Sequence, residues 1–107
     1  MDDIQIAPQE LKQKIDQGAA PLIIDVREPW EYQTCFIEGA KLVPLNTLPA
    51  NLTMFGDAGE VVIYCHHGTR SLNAAAWLRS QGVEGARSLT GGIDRWSAEI
   101  DSTIKRY

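Results

Sequence analysis

The residues best suited to chemistry lie in one short stretch, residues 65–71, which reads Cys-His-His-Gly-Thr-Arg-Ser. An apolar, β-branched run at residues 61–64 precedes it and predicts a buried strand. A helix is predicted next by apolar residues at helical spacing, Leu72, Ala75 and Leu78. The first turn of a helix has unpaired N–H groups and partial positive charge, so a cysteine at this junction should lose its proton readily. We therefore predict that Cys65 is a catalytic nucleophile rather than a small buried hydrophobe.

The residues after Cys65 are predicted to bind the substrate: His66, His67, Gly68, Thr69, Arg70 and Ser71. A turn of this kind can gather N–H groups around an anion. Arg70 carries a permanent charge that suits an anionic donor, or else it holds the loop by bonding its carbonyls or Asp25. Ser71 is expected to cap the helix, with a hydrogen bond to the sulfur as the alternative.

The two adjacent histidines allow more than one interpretation. Either His66 or His67 is expected to line the mouth of the pocket and to lower the pKa of the thiol when charged, and plain solvent exposure is the alternative. A metal ion is not expected, because adjacent side chains diverge and no Cys-x2-Cys spacing occurs. No cofactor is predicted.

Length and composition fit one domain spanning residues 1–107. Hydrophobic residues make up 44% and charged residues 22%, the proportions of a soluble globular protein. The net charge is −4 without a basic stripe, which argues against a nucleic-acid partner. No apolar run approaches the roughly 20 residues that span a bilayer, so no membrane association is expected. The acidic start lacks the basic region of a secretory signal, so we expect a cytoplasmic location. The protein is also expected to be a monomer.

Strands and helices are predicted to alternate along the chain. The strands are predicted at residues 4–6, 21–26, 39–44, 61–64 and 86–89. Helical segments are predicted from Pro8 to Gly18, at residues 27–32, from Asn46 to Pro49, from the cysteine loop to Gly82, and around Ile93, Trp96 and Ile100. This alternation predicts an α/β fold with a parallel sheet of about five strands and helices on both faces.

The carboxyl ends of parallel strands form the usual ligand site of an open α/β sheet. Both Asp25 and Cys65 fall at such ends. We therefore expect Asp25 and Arg27 to brace the cysteine loop rather than to take part in chemistry. The three tryptophans are expected to lie in the core or between helices: Trp30, Trp77 and Trp96.

Four segments resemble the family of single-domain rhodaneses, which are thiosulfate or persulfide sulfurtransferases. They are residues 22–32 (LIIDVREPWEY), 37–40 (IEGA), 65–71 (CHHGTRS) and 89–96 (LTGGIDRW). The Cys-His-His-Gly loop is most similar to rhodanese domains linked to E1-like activating enzymes, which pass sulfur to small carrier proteins.

The resemblance implies a single rhodanese-like domain and a thiosulfate:cyanide-type sulfurtransferase activity. Cys65 would take a sulfane sulfur from a small donor, thiosulfate or a persulfide, and would carry it as a persulfide. The acceptor would be a thiol, cyanide or a protein. One segment departs from the family, because Cys35-Phe36 stands where Gly-His is usual. A cysteine there argues that the backbone does not need a positive φ.

Two alternatives to an enzyme of this kind remain open. The chain could be a sulfur relay module whose acceptor is another protein, or a cysteine phosphatase or arsenate reductase on a similar scaffold. A phosphatase loop has five residues between its cysteine and arginine, whereas four separate Cys65 from Arg70. The shorter loop favours sulfur transfer. Cys35 is either a spare buried thiol or a resolving thiol for Cys65.

Overall fold

A computed structural model describes residues 3–107 and contains one five-stranded sheet in which all paired strands are parallel. The strands are β1 (Gln5–Ile6), β2 (Leu22–Asp25), β3 (Lys41–Leu42), β4 (Val61–Tyr64) and β5 (Ala86–Leu89), in the order β1-β5-β4-β2-β3. The helices are α1 (Pro8–Asp16), α2 (Pro29–Thr34), α3 (Thr69–Ser80) and α4 (Gly92–Glu99). The predicted α/β class and the parallel sheet are confirmed.

The central strand β4 divides the core into two layers. Because successive side chains of a strand point to opposite faces, Val61, Ile63 and Cys65 lie in one apolar cluster and Val62 and Tyr64 in the other. Helix α3 packs on the first face through Ala74, Ala75 and Leu78. Helices α1 and α4 pack on the second face through Leu11, Ile93 and Trp96. The helices therefore cover both faces of the sheet, as predicted.

The strand predicted at residues 39–44 is limited to Lys41–Leu42, and two other local predictions differ in kind from the structure. The helix expected at Asn46 is a pair of 3-10 segments, Leu45–Thr47 and Pro49–Phe55, because the proline that opens the second segment interrupts regular helical bonding. Trp30, expected to be buried, is 61% exposed, because it lies on the solvent side of the six-residue helix α2. Trp96 is buried as expected. Within residues 3–107, none of the helices combines the length and the apolar character that crossing a membrane requires.

Candidate active site

Cys65 lies directly after β4, and its side chain is the centre of a small set of hydrogen bonds. The residue is only 1% exposed. Its Sγ accepts the backbone N–H of Gly68 at 3.1 Å and that of Ser71 at 3.3 Å. The thiol also lies 3.4 Å from the hydroxyl oxygen of Ser71, to which it can donate. The backbone returns around the sulfur as the sequence predicts for this loop.

The start of α3 differs from the prediction that Ser71 caps it. Gly68 is the N-cap, with a φ of +115° that favours glycine, and the helix begins at Thr69. Ser71 therefore lies within the first turn, where its N–H is free to reach the sulfur. Its hydroxyl donates to the Gly68 carbonyl at 3.2 Å and pairs with the Ser88 hydroxyl at 2.7 Å. Ser88, on β5, was not singled out by the sequence.

A second helix supports the loop from its other side. The N–H of Ile93 donates to the Cys65 carbonyl at 2.9 Å, and the N–H of Asp94 donates to the His66 carbonyl at 3.1 Å. These are donors in the first turn of α4, which have no partners inside their own helix. The sequence predicted the helix around Ile93 but not that its first N–H groups bind the cysteine loop.

His66 and His67 do not diverge as expected. Their rings stack with centroids 3.9 Å apart, and the Tyr107 ring stacks on His66 at 3.9 Å and 7°. Burial and the neighbouring His67 lower the pKa of His66, which disfavours the charged form that the prediction needs. His67 is the exposed member of the pair.

The stacking removes one of the two reasons given against a metal, the divergence of adjacent side chains. His66, His67 and Asp94 place ligand atoms within 4.8 Å of one another in the described part of the chain. Asp94 is, however, already bound by the Arg106 guanidinium through two hydrogen bonds of 3.1 Å. An ion at this place would have to compete with Arg106 for the Asp94 carboxylate.

Arg70 pairs with a residue that the sequence did not indicate. Its Nη1 donates to Glu31 Oε1 at 2.9 Å and its Nη2 donates to Glu31 Oε2 at 3.0 Å. As a structural residue, Arg70 was predicted to bond either the loop carbonyls or Asp25. Its partner is Glu31 instead. The only sequence signal for Glu31 is its place three residues after Glu28, which is the spacing of a capping box.

Glu31 is buried, which alone would raise its pKa. Hydrogen bonds from Arg70, from the backbone N–H of Glu28 and from the Tyr107 hydroxyl outweigh burial and lower that pKa to about 2. The carboxylate is therefore ionised over the whole physiological range. It places a fixed negative charge beside the positive charge of Arg70.

Asp25 and Arg27 form a fully buried ion pair, with Nη2 and Oδ2 2.6 Å apart. The Arg27 guanidinium also donates to the Cys35 carbonyl at 2.6 Å and to the Tyr107 hydroxyl at 2.8 Å. The pair thus holds the end of α2 and Tyr107, and its link to the cysteine loop passes through the ring stack of Tyr107 on His66. The Asp25 carboxylate binds Arg27 rather than the loop, so any bracing of the loop by this pair is indirect.

Cys35 has a φ of −167°, an extended conformation open to any residue, which confirms that the position does not need glycine. Its side chain belongs to the apolar cluster around Tyr64, whereas Cys65 belongs to the cluster on the opposite face of the sheet. Both cysteines are free. Since the sheet lies between the two clusters, the structure favours the spare thiol over the resolving thiol.

The cysteine loop lies at the carboxyl end of a parallel sheet and is held by the first turns of α3 and α4. This is the position of the ligand site in open α/β proteins, the class to which the fold belongs. A family model described as Rhodanese-like domain matches residues 7–99, so the chain belongs to the rhodanese-like domain family. The predicted resemblance is confirmed.

Three comparisons show how far the similarity extends. The chain is 32% identical to a sulfurtransferase of Allochromatium vinosum over 93 residues, 87% of either protein. It is 33% identical to the "Probable adenylyltransferase/sulfurtransferase MoeZ" of Mycobacterium tuberculosis over 104 residues, which are 95% of this chain and only about a quarter (26%) of MoeZ. The crystal structure of a rhodanese-like domain protein from Staphylococcus aureus superposes with a TM-score of 0.78 at 30% identity, covering 96% of this chain and 97% of that one.

Proposed function

We propose that the protein transfers a sulfane sulfur through a persulfide on Cys65. The observation that carries the proposal is the pair of N–H groups, from Gly68 and Ser71, that donate to Sγ. Hydrogen bonds to a sulfur favour its anionic form, which is the nucleophile. After the first transfer the same loop can stabilise the charge of the terminal sulfur.

The reaction proceeds in two steps of covalent catalysis. In the first, the Cys65 thiolate attacks the outer sulfur of a donor, thiosulfate or a persulfide, and the donor leaves as sulfite or a thiolate. In the second, a nucleophilic acceptor takes the terminal sulfur and the Cys65 thiolate is restored. Because the first product leaves before the acceptor reacts with the Cys65 persulfide, ping-pong kinetics are expected. The acceptor is cyanide, a thiol or a protein, and the reduced thiols suit a reducing compartment such as the cytoplasm.

Intact-mass spectrometry tests the first step. Incubation with thiosulfate or with glutathione persulfide should add one sulfur atom, and cyanide should remove it. Cys65→Ser should show neither event, whereas Cys35→Ser is the matched control and should show both. Sulfur that still loads onto the Cys65→Ser protein would contradict the assignment.

A second measurement separates an enzyme from a relay module. Repeated turnover with a small donor and cyanide is expected for a sulfurtransferase in the usual sense. Loading of Cys65 without turnover would favour a relay that passes its sulfur to another protein. Cys65-dependent hydrolysis of an aryl phosphate, with no response to sulfur donors, would favour the phosphatase alternative instead.

A further inference from the structure

The guanidinium that would meet an anionic donor is already occupied. Both terminal nitrogens of Arg70 donate to the two oxygens of Glu31, at 2.9 and 3.0 Å. This parallel pairing uses the end of the guanidinium that would otherwise hold a carboxylate, a phosphate or the sulfonate end of thiosulfate. Glu31 lies on α2 and Arg70 on α3, so the pair also joins two elements across the cysteine loop.

Glu31 is fixed in this position by further donors. Its Oε1 accepts the N–H of Glu28 at 3.0 Å in addition to Arg70, and its Oε2 accepts the Tyr107 hydroxyl at 2.7 Å in addition to Arg70. Each carboxylate oxygen thus accepts two hydrogen bonds. The Tyr107 hydroxyl in turn accepts from Arg27 at 2.8 Å. Moving the Glu31 carboxylate away from Arg70 would also break its hydrogen bonds with Glu28 and Tyr107, so these bonds stabilise the Glu31–Arg70 pair.

From this geometry we infer that Glu31 determines donor specificity, by disfavouring thiosulfate and leaving organic persulfides as the preferred donors. The inference rests on the proposed function. Glu31 and Arg70 together carry no net charge, so a dianion gains little at this position and is repelled by the carboxylate. An organic persulfide needs only to bring its terminal sulfur to Cys65, and it carries at most one negative charge at that sulfur.

The two loading reactions differ in the charge that must approach. With a persulfide, Cys65–S⁻ and R–S–SH give Cys65–S–SH and R–S⁻, because the new S–S bond forms as the old one breaks and its electron pair leaves with R–S⁻. With thiosulfate, Cys65–S⁻ and S–SO₃²⁻ give Cys65–S–S⁻ and SO₃²⁻. The second reaction brings a dianion beside Glu31 and releases another. Glu31 therefore acts on thiosulfate binding more than on persulfide binding.

The test compares both donors on the full chain and on Glu31→Gln. The amide removes one negative charge and frees the Arg70 guanidinium, so the thiosulfate KM should fall by about tenfold or more, a change expected for one unit charge in a partly buried site. The kcat/KM for glutathione persulfide should change by less than about threefold on the same argument. Glu84→Gln is the matched control, because it removes one charge from an exposed residue that precedes β5, at the end of the sheet opposite Cys65, and should leave both KM values unchanged.

Each outcome decides the question. A thiosulfate KM that stays within about twofold in folded Glu31→Gln, checked by circular dichroism, would overturn the inference, since a unit charge should matter more. If that variant does not fold, the wild type decides, because a kcat/KM for thiosulfate equal to or above that for glutathione persulfide would also overturn it. Failure of both donors to load Cys65 in the mass spectrum would instead overturn the proposed function.

Discussion

Gly92 is the position at which one added carbon should disable the cysteine loop. Its φ is +63°, and a Cβ placed there would overlap the carbonyl oxygen of His66 and lie 2.5 Å from that of Cys65. Those two carbonyls accept the N–H groups of Asp94 and Ile93 at 3.1 and 2.9 Å. A side chain at position 92 must therefore push the loop away from α4 and weaken both hydrogen bonds.

The magnitude follows from these contacts. Ordinary van der Waals contact begins at 3.4 Å, so the loop must move by roughly 1 Å, a displacement that can lower catalysis about 100-fold. The left-handed backbone costs a non-glycine residue about 1–2 kcal/mol, and two weakened hydrogen bonds cost about 0.5–1.5 kcal/mol each. Gly92→Ala should therefore lower the free energy of unfolding by about 2–5 kcal/mol and Tm by on the order of 10 °C or more.

Gly18→Ala separates backbone strain from displacement of the loop. Gly18 has a similar φ of +75°, but no atom lies within 4 Å of the Cβ it would gain. This variant should lose about 1–2 kcal/mol of stability and keep the wild-type rate of sulfur loading. The assay is thermal unfolding together with the rate at which glutathione persulfide modifies Cys65. Wild-type loading by Gly92→Ala would refute the argument that α4 holds the loop in its reactive geometry.

Two other predictions concern the charged groups behind the loop. Asp25→Asn should lower the free energy of unfolding by about 3–5 kcal/mol in a urea titration, because it leaves the Arg27 guanidinium buried without its charged partner; a loss below about 1 kcal/mol would contradict this. Glu31 has a folded pKa of about 2 against an ordinary value of 4.5, so its contribution to stability is present above pH 4.5 and is lost as the pH falls towards 2. At about 1.4 kcal/mol for each pH unit in that interval, the free energy of unfolding of the wild type should fall by about 3 kcal/mol more than that of Glu31→Gln between pH 5 and pH 2. Equal losses in the two proteins would show that Glu31 is not held as an anion.

The sequence predicted the elements whose apolar pattern is continuous. Residues 61–64 became β4 with the predicted bounds, because a run of buried β-branched residues has few alternatives to a strand. Residues 86–89 became β5 with the predicted bounds although Arg87 and Ser88 interrupt the apolar pattern. The 3-10 segments were not predicted correctly, since the spacing of Leu45, Leu48 and Leu52 fits a helix but does not distinguish a 3-10 helix from an α-helix. Trp30 was misplaced because hydrophobicity alone does not tell which side of a short helix faces the core.

Within the site, the contacts close to Cys65 in sequence were predictable and the distant ones were not. A strand followed by a glycine and a helix brings N–H groups back to the sulfur whatever the rest of the chain does. By contrast, Arg70 meets Glu31 39 residues away, and Tyr107 meets the same carboxylate across 76 residues. No local pattern encodes such pairs, because they depend on how α2 and Tyr107 pack over the loop.

The contacts of the Cys65 sulfur come from nearby backbone, whereas the partner of Arg70 comes from a distant side chain, so the two can change independently. The groups that donate hydrogen bonds to the Cys65 sulfur are the backbone N–H groups of Gly68 and Ser71, which substitutions on other elements leave in place. The charge that a donor meets, however, is set by Glu31, a side chain supplied from a separate helix. A change at that single position can therefore alter which donor is accepted without altering the chemistry at Cys65. Donor preference and sulfur reactivity are, on this geometry, properties of different parts of the fold.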